Sequence, residues 1–295
     1  MICPVCHSQN IILKYPSNLK EVGQFYHVTD SRLGVHSDVF CCLDCGLAWV
    51  CDSKTVARVI SSYETENFDE TYEKERENRK KTADILVNKV KKIKPQGKLL
   101  DIGCYSGIFL EAAQEAGYEI FGIEASRGAL ALARQKVKGD LRCGMAEKIL
   151  VDFPDKSFDI ITLFDVLEHL PDPQKVLTLI QLKLKDDGLL VFSTPDFSSL
   201  LSKIQGKKWH ALLPQHLFYF SIRNIKIILS QTGFKSKKYC YIGRHFSFFY
   251  LLQHYLNSHR STSKFFLNFI RSLGVANLTI PINLFDQLLI FATKK

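Results

Sequence analysis

Residues 98–124 read KLLDIGCYSGIFLEAAQEAGYEIFGIE, and this stretch decides the fold. KLLDI (98–102) is a short apolar run that ends at Gly103. A second glycine, Gly107, opens a helix predicted over 107–116, and EIFGI (119–123) returns as another strand. Glycines at such a turn let the backbone approach a ligand closely. The spacing is G-x-x-x-G, not the G-x-G-x-x-G of dinucleotide sites. Glu124 ends the second strand, 21 residues beyond Gly103. An acid there can accept hydrogen bonds from both hydroxyls of a ribose.

Outward from this unit the alternation continues. Helices are predicted over Arg127–Lys136 and Pro173–Leu184, and strands over LRC (141–143), FDIITLF (158–164) and GLLVFST (188–194). Ile222–Thr232 reads as a helix, FKSKKYCYIG (234–243) as a strand and DQLLIFATKK (286–295) as the last strand. Such alternation implies an α/β fold, a mostly parallel sheet with helices on both faces. Before it, Ile85, Leu86, Val90 and Ile93 mark an amphipathic helix with a basic outer face, stopped by Pro95 and Gly97. The chain has 295 residues, 46% hydrophobic and 23% charged, which excludes disordered and collagen-like classes. No apolar run is long enough to span a bilayer. The opening MICPVCHSQN lacks the pattern of a secretory signal, so a cytoplasmic protein with reduced thiols is expected. A net charge of +9 suits an anionic partner without naming one.

The glycine turn and the acid that follows resemble those of class I S-adenosylmethionine-dependent methyltransferases, over roughly residues 60–240 plus the last strand. The resemblance implies a Rossmann-like sheet of seven strands with the last one antiparallel. It implies that Asp101, Gly103 and Gly107 hold the methionine end of the cofactor, with Cys104 in the same turn, and that Glu124 and Ala125 hold the ribose. Two residues depart from the pattern. Tyr105 stands where glycine is usual, and Met145 stands where many members place an acid for adenine. Adenine is then expected against Met145, the backbone near Ala146, and Phe164.

Phe164–Pro173 reads FDVLEHLPDP and follows the strand FDIITLF. Asp165, Glu168 and His169 therefore lie at the carboxyl end of a central strand, where open α/β sheets bind ligands. Three roles stay open. His169 is a general base oriented by an acid, or the three side chains bind a divalent ion, or Glu168 and His169 only cap a helix. The ion resembles the arrangement in ubiquinone-pathway O-methyltransferases and in enzymes that methylate small-RNA 3′ ends, which add one later histidine. Downstream, GKKWHALLPQHLFYFS (206–221) supplies a substrate wall of Trp209 and three aromatics, and within it His216, which is the second candidate histidine for proton removal or only a structural histidine bonded to backbone. This string resembles methyltransferases of sugar, polysaccharide or lipid-linked modification.

Six of the nine cysteines fall within the first 51 residues. Cys3 and Cys6 form one C-x-x-C pair and Cys42 and Cys45 another, a pattern for one structural zinc. The 35 residues between the pairs must fold back as a hairpin or flap. A zinc-ribbon-like lobe over 1–60 and a methyltransferase domain over 61–295 are expected. An aromatic and basic insert over 244–285 carries a stripe of Phe265, Phe266, Phe269, Ile270 and Leu273. It reads as a lid, as a dimer surface or as a membrane-surface contact. The expected activity is methyl transfer to a small hydroxylated acceptor: a sugar, a polysaccharide precursor or a lipid-linked metabolite. The alternatives are RNA methylation with the zinc lobe as docking surface, and cofactor binding without catalysis.

Overall fold

A computed structural model describes residues 1–19, 33–65, 70–252 and 278–295. The chain opens with β1 (Ile11–Tyr15), β2 (Val39–Cys42) and β3 (Ala48–Val50), then α1 (Ser53–Thr65), α2 (Glu70–Lys74) and α3 (Arg76–Lys91). The alternating part runs β4 (Lys98–Ile102), α4 (Ile108–Glu115), β5 (Glu119–Glu124), α5 (Arg127–Lys136), β6 (Asp140–Cys143), α6 (Ala146–Ile149), β7 (Phe158–Phe164), α7 (Pro173–Lys183) and β8 (Leu184–Pro195). The rest is α8 (Leu200–Gln205), β9 (Phe218–Tyr219), α9 (Ile222–Gln231), β10 (Phe234–Tyr241), β11 (Arg244–Ser247), β12 (Thr279–Ile282) and β13 (Gln287–Lys294).

Seven strands form one sheet in the order β10-β13-β8-β7-β4-β5-β6. The five from β4 to β8 are parallel, and β13 runs antiparallel to both β8 and β10. β7 is apolar along nearly its whole length because helices cover both faces of the sheet. Side chains set the helix starts. Ser126 Oγ accepts the Ala129 N–H at 3.2 Å, and Asp172 accepts the Lys175 N–H at 2.9 Å with Pro173 in the first turn.

Three local readings shift. The buried stripe of α3 is Ala83, Leu86, Val87 and Val90, while Ile85 and Ile93 face outward. Helix α7 gives way to β8 at Leu184, because Leu184 already pairs with Phe158 and the Lys183 amine reaches Asp155 at 2.7 Å. A two-stranded ribbon, β11 with β12, was not expected; each strand is only four residues long and its partner is distant in sequence. The aromatic stripe at 265–273 lies outside the described residues. Among the described residues, no helix is long and apolar enough to cross a membrane.

The N-terminal lobe is fused to the main body. Its sheet runs β1-β2-β3-β9, so its fourth strand comes from the segment after β8. Cys3, Cys45, Leu47 and Trp49 share one core with Phe220 and with Ile225 and Ile228 of α9. On the lobe's other face, Val39, Cys41 and Ala48 pack on Trp209 and Tyr219. The boundary read at residue 60 falls inside α1.

Candidate active site

The glycine turn is built as its residues demand. Gly103 has φ +75°, and a Cβ there would lie 2.4 Å from Val166 Cγ2. Tyr105 occupies the left-handed region at φ +46°, which explains the usual glycine at that place. Its ring rests on Tyr72, 4.4 Å between centroids. Glu124 is buried and receives the N–H groups of Tyr105 at 2.9 Å and Ser126 at 2.7 Å. Burial raises its pKa in spite of these bonds. Asp101 accepts the Thr162 hydroxyl at 2.6 Å; burial, with the neighbouring Glu124 charge, raises it to about 7.

A cavity of about 610 Å³ opens at the carboxyl ends of β4, β5 and β7. Gly103, Glu124, Ala125, Met145, Ala146 and Phe164 line it. Asp101, Cys104 and Gly107 do not. The Cys104 sulfur lies against Gly122, and Gly107 starts α4 and packs on Ala133. The size lies within the range of small-molecule sites.

The same cavity reaches Glu168, His169 and His216. The two imidazoles are 4.6 Å apart, and one ligating atom from each of the three residues lies within 4.8 Å of the others. His216 Nδ1 sits 2.8 Å from the Ala211 carbonyl, and His169 Nδ1 lies 3.1 Å from the Gln215 carbonyl and 2.8 Å from Tyr63 Oη. Each Nδ1–H is thereby used as a donor, which leaves Nε2 with its lone pair. Burial lowers His169 to about 4 and puts His216 well below its usual range. Glu168 has neither carboxylate oxygen hydrogen-bonded, and burial and nearby Asp165 raise it to about 8. Asp165 stands apart from this group. It has φ +57°, and its carboxylate is held by Arg244, by Gln287 at 2.6 Å and by Ser193 at 2.8 Å.

Several site residues had no signal in the sequence. Tyr63 comes from α1, ahead of the glycine turn. Arg244 comes from β11 and Gln287 from β13. Arg79 lines the cavity with its guanidinium 3.7 Å from the Tyr72 ring centre, without a carboxylate partner among the described residues.

At the N-terminus the four cysteines converge. Cys3 and Cys45 sulfurs are 3.6 Å apart, Cys6 and Cys42 3.5 Å. Four sulfurs at 2.3 Å from one ion form a tetrahedron with edges of about 3.8 Å, so the group can hold one zinc. The two knuckles match: the N–H of His7 bonds the Cys3 carbonyl and that of Gly46 the Cys42 carbonyl, both with positive φ. Although Cys42 is desolvated, the Cys45 backbone N–H and the Cys6 thiol lower it to about 7. Cys41 points to the opposite face of β2, into the Trp209 core.

A family model described as methyltransferase domain matches residues 72–238. The chain belongs to this family. The match holds the glycine turn and all three members of the Glu168 group, and leaves out the cysteine lobe, Tyr63, Arg244 and Gln287. Among curated proteins, a ubiquinone biosynthesis O-methyltransferase of Glaesserella parasuis is 33% identical over 165 residues, 51% of this chain and 69% of that protein. One of Actinobacillus pleuropneumoniae is 35% identical over 105 residues, 33% of this chain. The chain spans only 45% of the length of this second relative. A solved SAM-dependent methyltransferase from Archaeoglobus fulgidus shares the fold at 22% identity, with a TM-score of 0.54 over 77% of this chain and all of that one.

Proposed function

We propose that the protein is an S-adenosylmethionine-dependent methyltransferase that acts on a small hydroxylated acceptor. The observation that carries this reading is a single cavity joining the Glu124 cradle to Glu168, His169 and His216. The cofactor, when bound, supplies an electrophilic methyl group. Glu124 accepts the ribose hydroxyls, and Met145 and Ala146 offer adenine an apolar wall in place of an acid. Arg79 reaches the glycine-turn end through Tyr72 and Tyr105 and takes the cofactor's carboxylate.

On the acceptor side, burial keeps both imidazoles neutral and makes them weak bases at pH 7. Neutral imidazoles with free Nε2 atoms beside the buried Glu168 carboxyl, whose proton a cation would displace, are better suited to a cation than to proton removal. Glu168, His169 and His216 would hold a divalent ion there, and such an ion would supply Lewis acidity to an acceptor hydroxyl. Asp165 then positions the loop through Arg244 and Gln287 and is not a ligand. The similarity to ubiquinone biosynthesis O-methyltransferases supports oxygen as the methylated atom. A sugar, a polysaccharide precursor or a lipid-linked metabolite fits the same chemistry. The test is methyl transfer from labelled cofactor to a panel of hydroxylated acceptors, with and without chelator. Turnover that chelation abolishes and manganese restores is expected. Turnover untouched by chelation sinks the ion, and cofactor binding without turnover on any acceptor sinks the enzyme.

A further inference from the structure

The rim of the cavity carries an apolar and basic patch that the site chemistry does not use. Leu200 and Ile204 lie one turn apart on α8 and are 73% and 72% exposed. Across the mouth, Leu284 and Phe285 are 51% and 64% exposed. Buried Asp196 ties the two sides together. Its carboxylate accepts Tyr241 Oη at 2.8 Å and the Ser198 N–H at 2.9 Å, and its own N–H bonds the Asp286 carbonyl at 2.7 Å. The Tyr241 ring lies 6.2 Å from that of Phe285, and Ser199 caps α8 by accepting the Ser202 N–H at 3.1 Å. Gln205, Leu284 and Asp286, from both sides of the patch, line the cavity itself. Phe285 is held outward at φ +53°, an unfavourable backbone for a bulky residue, with its N–H on the Asn283 side chain at 3.0 Å.

Lys203 sits on α8 between Leu200 and Ile204, and Lys207 and Lys208 follow in the turn directly after it. All three are exposed, and none has a carboxylate partner among the described residues, whereas Lys94, Lys136, Lys156 and Lys185 do. Apolar side chains that enter the acyl boundary, beside lysines that meet anionic headgroups, form the two-part signal of a peripheral membrane surface. A two-fold contact between copies would set the three lysines against their own like. We propose that α8 and the 283–286 turn dock the cavity mouth on an anionic bilayer, so that a lipid-linked hydroxylated acceptor enters from the membrane. The choice of acceptor rests on the methyltransferase reading above; the docking itself does not.

Vesicle co-sedimentation of the full chain tests the docking. Phosphatidylglycerol-containing vesicles should bind the protein, phosphatidylcholine vesicles should bind it at least ~10-fold less, and salt should weaken the binding. Leu200→Glu with Ile204→Glu, and separately Lys203→Glu with Lys207→Glu, should each lower binding ~10-fold or more. Phe285→Gly relieves the left-handed backbone, so it should lower vesicle binding with no loss of folding. Calorimetric affinity for S-adenosylmethionine should stay unchanged in all of them. A wild-type chain that ignores anionic vesicles, or a Leu200/Ile204 variant that binds like wild type, overturns the docking. So does a patch variant that alters only self-association in sedimentation velocity. Absent cofactor binding would instead overturn the methyltransferase reading and leave the vesicle result standing.

Discussion

Removing the zinc should cripple the acceptor site while sparing the cofactor site. The connection is short. The Val50 N–H bonds the Leu217 carbonyl at 2.9 Å, and the Leu217 N–H bonds the Glu168 carbonyl at 2.8 Å. β3 also pairs with β9 in the two positions that follow, Trp49 opposite Phe218 and Ala48 opposite Tyr219. His216 immediately precedes Leu217, so the lobe holds both members of the histidine pair by their neighbours' backbone. These two bonds and the strand pairing, at about 1 kcal/mol each, hold the loop with about 3 kcal/mol. Losing that restraint corresponds to ~10²-fold in the population of the productive arrangement. Cys42→Ser, or a chelator strong enough to strip a four-thiolate site, is the perturbation. Turnover should fall ~10²-fold and manganese affinity at Glu168, His169 and His216 should fall with it. Calorimetric affinity for S-adenosylmethionine, held by β4 and β5 of the seven-stranded sheet, to which β9 does not belong, should stay within ~3-fold. The shared core also implies a lower melting temperature for the whole chain, so the assays belong well below it. A folded variant shown by mass spectrometry to lack zinc, yet with normal turnover, would refute the coupling. So would equal losses of turnover and cofactor affinity.

Glu124→Ala removes the ribose acceptor and should weaken cofactor binding by about 1.5–3 kcal/mol in calorimetry, with unchanged affinity removing Glu124 from the site. Asp101 has a raised folded pKa, so its contribution to stability is complete below about pH 4 and is lost as pH rises through about 7. Asp101→Asn should therefore stabilise the cofactor-free protein at pH 8 by as much as about 4 kcal/mol and hardly at all at pH 4, read from denaturant melts. A gain of equal size at both pH values would mean that the carboxyl is not held protonated. Tyr63→Phe takes one partner from His169 Nδ1 and should weaken manganese binding ~10-fold with cofactor affinity intact.

The cofactor end was legible because it is local. Asp101, Gly103, Tyr105 and Glu124 fall within 24 residues, and the strand-turn-helix that places them is dictated by apolar runs and two glycines. The departure at Tyr105 was visible as a letter, but its left-handed backbone and its contact with Tyr72 were not. The cysteine lobe was legible for the same reason: two C-x-x-C pairs state their own geometry. The spacing picked Cys42 as the ligand, and strand register places neighbouring Cys41 on the opposite face of β2. The acceptor end was only half legible. His169 and His216 were singled out by residue type, and their meeting at 4.6 Å needed the fold. Tyr63, Arg79, Arg244 and Gln287 reach the cavity from four elements with no shared pattern, and period and spacing carry no information about such convergence.

This difference in locality also divides the labour of the molecule. The cofactor cradle is made of consecutive residues at the ends of β4 and β5, where main-chain hydrogen bonds to Glu124 depend little on anything else in the chain. The acceptor wall draws on the cysteine lobe through β3 and β9, on α1 through Tyr63, and on the ribbon and last strand through Arg244 and Gln287. A change in any of these additions can move Glu168, His169 or His216 without touching the cofactor. Tyr63, Arg244 and Gln287, which border the cavity on this side, and the strand β3 that clamps the loop all lie outside the family match over residues 72–238. The four-cysteine lobe thus meets the site by clamping the segment that directly follows the second histidine, rather than by supplying a ligand or a base itself.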